Sequence, residues 1–580
     1  MSGKYQDMDS SIGTARLDAI EKAVLMWDPS IYHLNILRAH YFRTVDEVIS
    51  ECTSAFPDDL QIRAERILEL TMSRLVNQFS QLMLRNRFLH EEDLSCISYH
   101  SPSQSPRYSI ICSPDGADSR ISLSTSGTES PNENYNLAES GIMLDPSELF
   151  ARDLSDLKAI AHRMIHANRG TMLTHAFVSA CLEIVRNDFA LAGFNEVSKD
   201  EALVVPWDVF GAHMKNWTRA TNAAFQVILP RKRWLCNEIF GPSELKETAF
   251  GEATGHCVTS LIRFAEAASC RRDTARIIMF PLLSMYETLG DASVGFHHLF
   301  GKSSYKFIHE KLELTINTLG ETVIRMLPIW LEDLIHENLS NTIESGAGIH
   351  YLTRYAMSYI SRLVDDHKIS LNLLLHDEFS KLEVDRRCGI TPLGHKVLFM
   401  LSYLRSFLEY KSNYMKEAGM RELFLLNNLH YVLDLVNDSE LKSQLGDDWD
   451  EDIMLQTDKL LSSYLKRTWS EILCHLSENN SGGKYKVLFA PKSVVRQKLK
   501  RFNSAFEAMY NLQSSWKVPN PVLRREIREA VSETIIPVYC SFLERNQLNP
   551  SVEKYHLDLA MYTITELKEL VFNLFEGNLE

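Results

Sequence analysis

Leu425-Leu426-Asn427-Asn428-Leu429-His430-Tyr431-Val432-Leu433-Asp434-Leu435-Val436 carries the reading on which the fold class rests. Leu425, Leu426, Leu429, Val432, Leu433 and Val436 recur at the i, i+3, i+4, i+7 spacing of an amphipathic helix. Just downstream, Leu445-Gly446-Asp447-Asp448-Trp449 supplies a glycine for the position after a helix end and aspartates to cap the next helix. Two helices are therefore expected to meet there.

The same pattern extends outward in both directions. In Trp516-Lys517-Val518-Pro519-Asn520-Pro521, Asn520 is placed to accept from an orphan amide and Pro521 to fill the first helical position. Leu523, Ile527, Val531 and Ile535 then form a stripe for burial, and Pro537 is expected to kink that helix by removing a backbone bond. Upstream, Thr14 to Leu94 reads as amphipathic helix, with Ile62, Ile67, Leu70, Leu75, Phe79, Leu82 and Met83 among charged residues. Between about Ser95 and Ser140 the chain turns rich in Ser, Pro, Gly and Asn, too poor in apolar groups to order itself. Its Ser-Pro pairs at Ser101, Ser105, Ser113 and Ser130 read as linker in which a phosphate would be tolerated. No alternating β-branched run bounded by hairpin turns occurs, nor a fixed-period repeat. The expected protein is all-α: amphipathic helices over 1–94, a Ser/Pro-rich loop over 95–144, and stacked helical bundles over 145–577.

Composition narrows the function classes. At 580 residues the chain exceeds what one core holds, and 45% hydrophobic with 24% charged residues is an ordinary globular balance. The densest apolar run, Val397 to Leu401, soon meets Ser402 and Arg405, so no membrane span is expected. The start, Met1 to Asp7, lacks both a signal h-region and a second-position glycine, which points to a cytoplasmic protein. The ten cysteines are scattered without CxxC spacing and read as reduced structural thiols, and the Asn-X-Ser/Thr matches at Asn216, Asn338 and Asn479 read as chance. A net charge of −15 argues against nucleic acid as a partner.

The chain holds none of the phosphate loops, nucleophile elbows or paired metal histidines that carry a catalytic mechanism. His162 and His166 stand four apart on one expected helix, but nothing is positioned to complete a metal site, and His297-His298 reads likewise. Glu409, Lys411, Asp447 and Asp448 read as solvated or capping charges. No catalytic residue, metal or cofactor is expected.

One segment departs from the acidic background. From 484 to 501, Lys484, Lys486, Lys492, Arg496, Lys498, Lys500 and Arg501 occur without a single acid. Leu499, Phe502, Phe506 and Met509 run at helical spacing beside them, so Lys492, Arg496, Lys498, Lys500 and Arg501 become candidate contacts for an anionic membrane. Each basic residue near such a surface contributes about 1 kcal/mol, and three or four in one plane give weak, salt-sensitive docking.

The stretches Leu425 to Tyr431 and Leu445 to Trp449 closely resemble the seventy-kilodalton exocyst subunit family in its plant form. Similar agreement is seen at Phe264-Ala265-Glu266-Ala267, at Met285-Tyr286-Glu287-Thr288-Leu289 and at Leu352 to Ile360. It continues at Trp516 to Pro521, Ile536-Pro537-Val538-Tyr539 and Leu574-Phe575-Glu576-Gly577, so it covers about residues 18 to 577. The resemblance implies an elongated rod of consecutive antiparallel helical bundles and membership of an octameric vesicle-tethering complex. It implies recruitment of that complex to plasma-membrane phosphoinositides through the C-terminal end, and no catalysis. Partners would be the other exocyst subunits, with small GTPases or immune receptors beside them, at the cytoplasmic side of the plasma membrane.

Two departures from the family pattern qualify this expectation. The segment Ala23-Val24-Leu25-Met26-Trp27-Asp28 begins almost at once, where the family has a longer coiled-coil assembly helix. Aligned on Tyr562, Asp558 and Met561 stand where the family has lysines, and from Glu544 onward seven acids face three bases. Lipid contact would then fall mostly on the 484–501 segment. The alternative is a diverged, non-exocyst scaffold in plant immunity or autophagy-related trafficking. Asn427, Asn428 and His430 are expected to form a satisfied polar layer inside a bundle.

Overall fold

The structure, a computed structural model, describes residues 2–26, 35–53, 58–85, 146–273, 275–300, 305–338, 347–380, 389–417, 419–446, 448–477, 492–546, 548 and 562–577. The Ser/Pro-rich stretch over 95–144, with its Ser-Pro pairs, lies outside them. Among the described residues there is no strand, and the all-α expectation holds, with one isolated antiparallel bridge between Lys517 and Glu576. The chain divides into two compact units, one drawn chiefly from residues up to Thr322 and one from Val323 onward.

The first unit begins with α1 (Ser2–Leu25), α2 (Asn35–Cys52), α3 (Asp58–Arg85), α4 (Pro146–His166) and α5 (Gly170–Leu191). It continues with α6 (Lys199–Val204), α7 (Trp207–Ala223), a π turn (Ala224–Ile228), α8 (Leu229–Phe240) and α9 (Leu245–Ser269). Helices α10 (Ala275–Phe300) and α11 (Lys306–Asn338) follow, α11 passing into the second unit at Val323. On α3, Ile67, Leu75, Phe79, Leu82 and Met83 are buried as the spacing predicts. Ile62 and Leu70 are not: both point to solvent, because the face that packs on α2 and α5 is narrower than the apolar pattern. The carboxylate of Asp153 on α4, almost fully buried, is paired by Arg85 at the end of α3, which supplies the partner a buried charge requires. Around Phe264, the rings of Phe194, Phe210 and Trp217 close the core, and the Trp217 indole N–H donates to the Leu261 carbonyl at 2.9 Å.

The second unit holds α12 (Tyr351–Ser380), α13 (Pro392–Ser412), α14 (Met420–Asn437) and the single turn α15 (Lys442–Leu445). After these come α16 (Trp449–Leu473), ending in a 3₁₀ turn (Cys474–Leu476), then α17 (Lys492–Ser514), α18 (Pro521–Arg545) and α19 (Ile564–Phe572). The quoted stripe lies on α14, but burial there goes further than amphipathicity predicts. From Glu422 to Leu429 every residue is buried, since α12, α13 and α16 pack around it. Gly446 takes φ +80°, the left-handed region that suits glycine after a helix end. Asp448 does not cap as expected: it sits at the N-cap with helical backbone angles and makes no side-chain cap bond, and Asp447 lies outside the described residues. Asp450, Glu451 and Asp452 instead place negative charge at the start of α16, where the helix dipole favours it. Asn520 caps α18 as expected, accepting from the amides of Val522 and Leu523 at 2.8 and 3.0 Å, and Leu523, Ile527, Val531 and Ile535 are all buried. Helix α18 continues through Pro537 without interruption.

A candidate membrane-facing surface

Helix α17 is fixed by its apolar side. Val495, Leu499, Phe502 and Phe506 are buried, Phe502 stacking on Tyr539 of α18 with ring centroids 5.3 Å apart, and Phe506 lying 5.8 Å from Trp469 of α16. Met509, the last member of the expected stripe, is only half-buried. Anchoring that side leaves Arg496, Lys500 and Arg501 exposed. Among the described residues these three have no ion-pair partner.

The five candidate residues do not form one edge. With about 100° of turn per residue, positions 492, 496 and 500 make one row, 501 lies beyond it toward the middle of the solvent face, and 498 falls on the opposite flank of the core stripe. Lys498 is half-buried, and its ammonium donates to the Ser477 carbonyl at 2.7 Å, which ties α17 to the end of the 3₁₀ turn. Lys484, Lys486, Asp558 and Met561 lie outside the described residues.

The acidic C-terminal stretch is partly neutralised by its own neighbours. Glu576 accepts from Arg528 at 2.6 Å and pairs with Arg524 at 3.2 Å, and the Arg528 bond holds its carboxyl below the usual carboxylate range. Arg528 also donates to the Leu574 carbonyl at 2.9 Å, while the Val518 amide donates to the Phe575 carbonyl at 3.2 Å. Leu574 and Phe575 are thereby held in the core. Tyr562 is a joint between elements: its hydroxyl donates to Glu507 of α17 at 2.6 Å, and its carbonyl accepts from Tyr539 at 2.9 Å.

The polar layer exists, with corrections. Asn428 accepts from the His350 amide and the Thr353 hydroxyl and donates to the Phe424 carbonyl at 2.7 Å. Asn427 donates to the Ala347 carbonyl at 2.6 Å, but its own side-chain oxygen is buried with no protein partner, so the layer is not fully satisfied. His430 belongs to the bundle edge, facing Asp434 at 3.1 Å, and Asp434 also accepts from Asn520 at 2.7 Å. Lys411, expected to be solvated, is buried beside the Phe407 ring, whereas Glu409 pairs at the surface with Arg405. The partners of Asn427, Asn428 and Asp434 on other elements lie far along the chain and leave no local signal in the sequence.

His162 and His166 lie with ring centroids 6.4 Å apart, and His297 faces the Ser293 carbonyl and the His309 ring. Among the described residues no group of three or more His, Cys, Asp or Glu side chains is arranged to hold a metal. The described cysteines are unpaired, and burial pushes the thiols of Cys181, Cys236 and Cys257 up to about 12, which disfavours the reactive thiolate. No described helix is long and apolar enough to cross a membrane.

Residues 215–571, more than half of the chain, match the family defined by the C-terminal region of the exocyst complex protein Exo70. The chain belongs to the Exo70 family. It is 25% identical to exocyst complex component EXO70B1 of Arabidopsis thaliana over 552 residues, covering 93% of this chain and 85% of that one. Against EXO70A1 of the same plant it is 27% identical over 458 residues, covering 76% and 69%. The crystal structure of the Saccharomyces cerevisiae exocyst component Exo70p shares the fold, with a TM-score of 0.58 at 13% identity over 97% of this chain and 98% of that one. Exo70 proteins are structural members of a tethering complex, and this one is not an enzyme.

Proposed function

We propose that this Exo70-family chain is a subunit of the exocyst, which docks secretory vesicles at the plasma membrane, and that α17 contributes a weak phosphoinositide contact there. Family membership over residues 215–571 carries the first half of the reading. The exposed face bearing Arg496, Lys500 and Arg501 carries the second, since it is a rigidly mounted positive surface on an acidic protein. Three such residues supply about 3 kcal/mol near an anionic leaflet, enough only beside protein contacts to the rest of the complex. Lys498, already committed to Ser477, contributes to the fold rather than to lipid.

Affinity purification from plant cells tests the first half: the other exocyst subunits are expected in stoichiometric amounts, and their absence would favour a scaffold acting in immunity or autophagy. The same preparation, searched for small GTPases and immune receptors, tests those as further partners. Co-sedimentation with phosphoinositide vesicles tests the second half. The triple variant Arg496→Ala, Lys500→Ala, Arg501→Ala should lose most binding, and binding equal to that of the unaltered chain would sink the α17 assignment.

A further inference from the structure

In the second unit the chain leaves α19 as Leu574-Phe575-Glu576-Gly577 and runs through a slot made by Tyr464 of α16, the end of α17 and the start of α18. Leu574 and Phe575 are wholly buried there, the Phe575 ring meeting that of Tyr464 edge-on with centroids 6.4 Å apart. The Phe575 main chain is held on both sides: its amide donates to the Gln513 carbonyl at 3.4 Å, and its carbonyl accepts from the Val518 amide at 3.2 Å. Arg528 spans Leu574 and Glu576, and with Arg524 it closes on the carboxylate. Gly577 takes φ +81° against the Lys517 side chain, which lies 3.4 Å from where a Cβ would stand.

Buried apolar side chains, main-chain bonds and a carboxylate under two guanidiniums are together the means by which a folded surface recognises a short peptide. The hold is weak for so many contacts. Phe575 sits at φ +66°, a region unfavourable to a non-glycine residue, and its two main-chain bonds are long. Glu576 is half-exposed, so salt screens its ion pairs. A segment that does not continue from α19 can make the same contacts without that backbone conformation imposed on it.

We propose that this slot is a peptide-binding site which residues 574–577 occupy in cis, and that a partner protein displaces them with a segment of the same pattern. That pattern is a large aliphatic residue, then an aromatic one, then Glu or Asp, then Gly. The seated residues define it position by position. An anion without apolar groups, a lipid headgroup included, would leave the space of Leu574 and Phe575 unfilled. A second copy offers the same four residues, but a net charge of −15 on each chain opposes the pairing. Occupancy of the slot is independent of the α17 membrane contact and stands or falls without it.

The probe is a fluorescein-labelled peptide with the sequence of residues 573–578, Asn-Leu-Phe-Glu-Gly-Asn, added to the full chain and read by anisotropy. Glu576→Gln removes the cis carboxylate and leaves every slot residue in place. Apparent affinity scales with the fraction of slots that are open, so this variant should bind about tenfold more tightly than the unaltered chain. Replacing the peptide's Glu by Gln should cost about tenfold, and adding Arg524→Ala to Glu576→Gln about threefold. A second variant, Phe575→Ala with Glu576→Gln, empties the slot further; should thermal unfolding show that it does not fold, Glu576→Gln alone carries the test. Binding to neither variant, equal binding to Glu576→Gln and the unaltered chain, or binding indifferent to the peptide's Glu would each overturn the proposal. So would a chain that sediments as a dimer and becomes monomeric when the peptide is added, since the occupant would then be a second copy.

Discussion

Thr353 donates its hydroxyl to the side-chain oxygen of Asn428 at 2.7 Å, inside a joint from which water is excluded. The same oxygen accepts from the His350 amide at 2.9 Å, so one side chain satisfies the entrance to α12 and the wall of α14 together. Asn428→Ala strands both donors, and a buried unpaired donor costs about 1 to 3 kcal/mol. Urea unfolding should show the variant at least about 2 kcal/mol less stable, with a smaller loss for Thr353→Val, which removes the hydroxyl and leaves Asn428 its amide partner.

Gly394, in the first turn of α13, passes directly against the main chain of α15. A Cβ built there would stand 1.8 Å from the Gln444 carbonyl oxygen, which also accepts from the Thr391 amide at 3.2 Å. Backbone cannot yield as a side-chain tip does, so Gly394→Ala should cost about 1 to 3 kcal/mol or more. A thermal midpoint equal to that of the unaltered chain would show that α13 and α15 separate easily.

Burial, reinforced by the Lys411 charge, lowers the His350 pKa from an ordinary value near 6.5 to about 4. Its Nδ1 accepts from the Leu352 amide at 3.2 Å, a bond that protonation there removes. The folded state therefore resists the proton more than the unfolded chain does. His350 contributes its full stability above about pH 6.5, and that contribution is lost as pH falls toward about 4. Comparing unfolding from about pH 7 to pH 4, His350→Asn should show a shallower decline than the unaltered chain. Parallel curves would exclude this histidine as a source of acid sensitivity.

The two roles read for the basic helix separate by mutation. Lys498→Ala should lower stability by about 1 kcal/mol, the value of one hydrogen bond to a backbone carbonyl, while leaving vesicle binding nearly unchanged. For Arg496→Ala, Lys500→Ala, Arg501→Ala the order reverses, and whatever vesicle binding the unaltered chain shows should weaken as salt rises from about 50 to 300 mM.

Local patterns in the sequence suffice for the helical class, the Asn520 cap and the Leu523 to Ile535 stripe, because each depends on residues within a few positions of one another. Ile62 and Leu70 mislead for the opposite reason: apolar spacing marks a face, but only the packed neighbours decide how wide it is. Glu422 illustrates the limit, a buried acid whose partner Arg467 lies far along the chain. Of the five candidate lipid contacts, the i, i+4 row through Arg496 and Lys500 follows from helical geometry, whereas the Ser477 tie that withdraws Lys498 does not.

The clamp on Leu574 and Phe575 also bears on the order in which the chain acquires its structure. Tyr464, Gln513, Val518 and Arg528 are synthesised well before residues 574–576, yet the Val518 amide and the Arg528 guanidinium find their partners only in those later residues. A chain that lacks residues 574–576 has neither those partners nor the Phe575 ring that packs against Tyr464, whose hydroxyl holds Gln513. A nonsense mutation just upstream of Leu574 would therefore take from α16, α17 and α18 a shared set of contacts, far more than the few residues it removes.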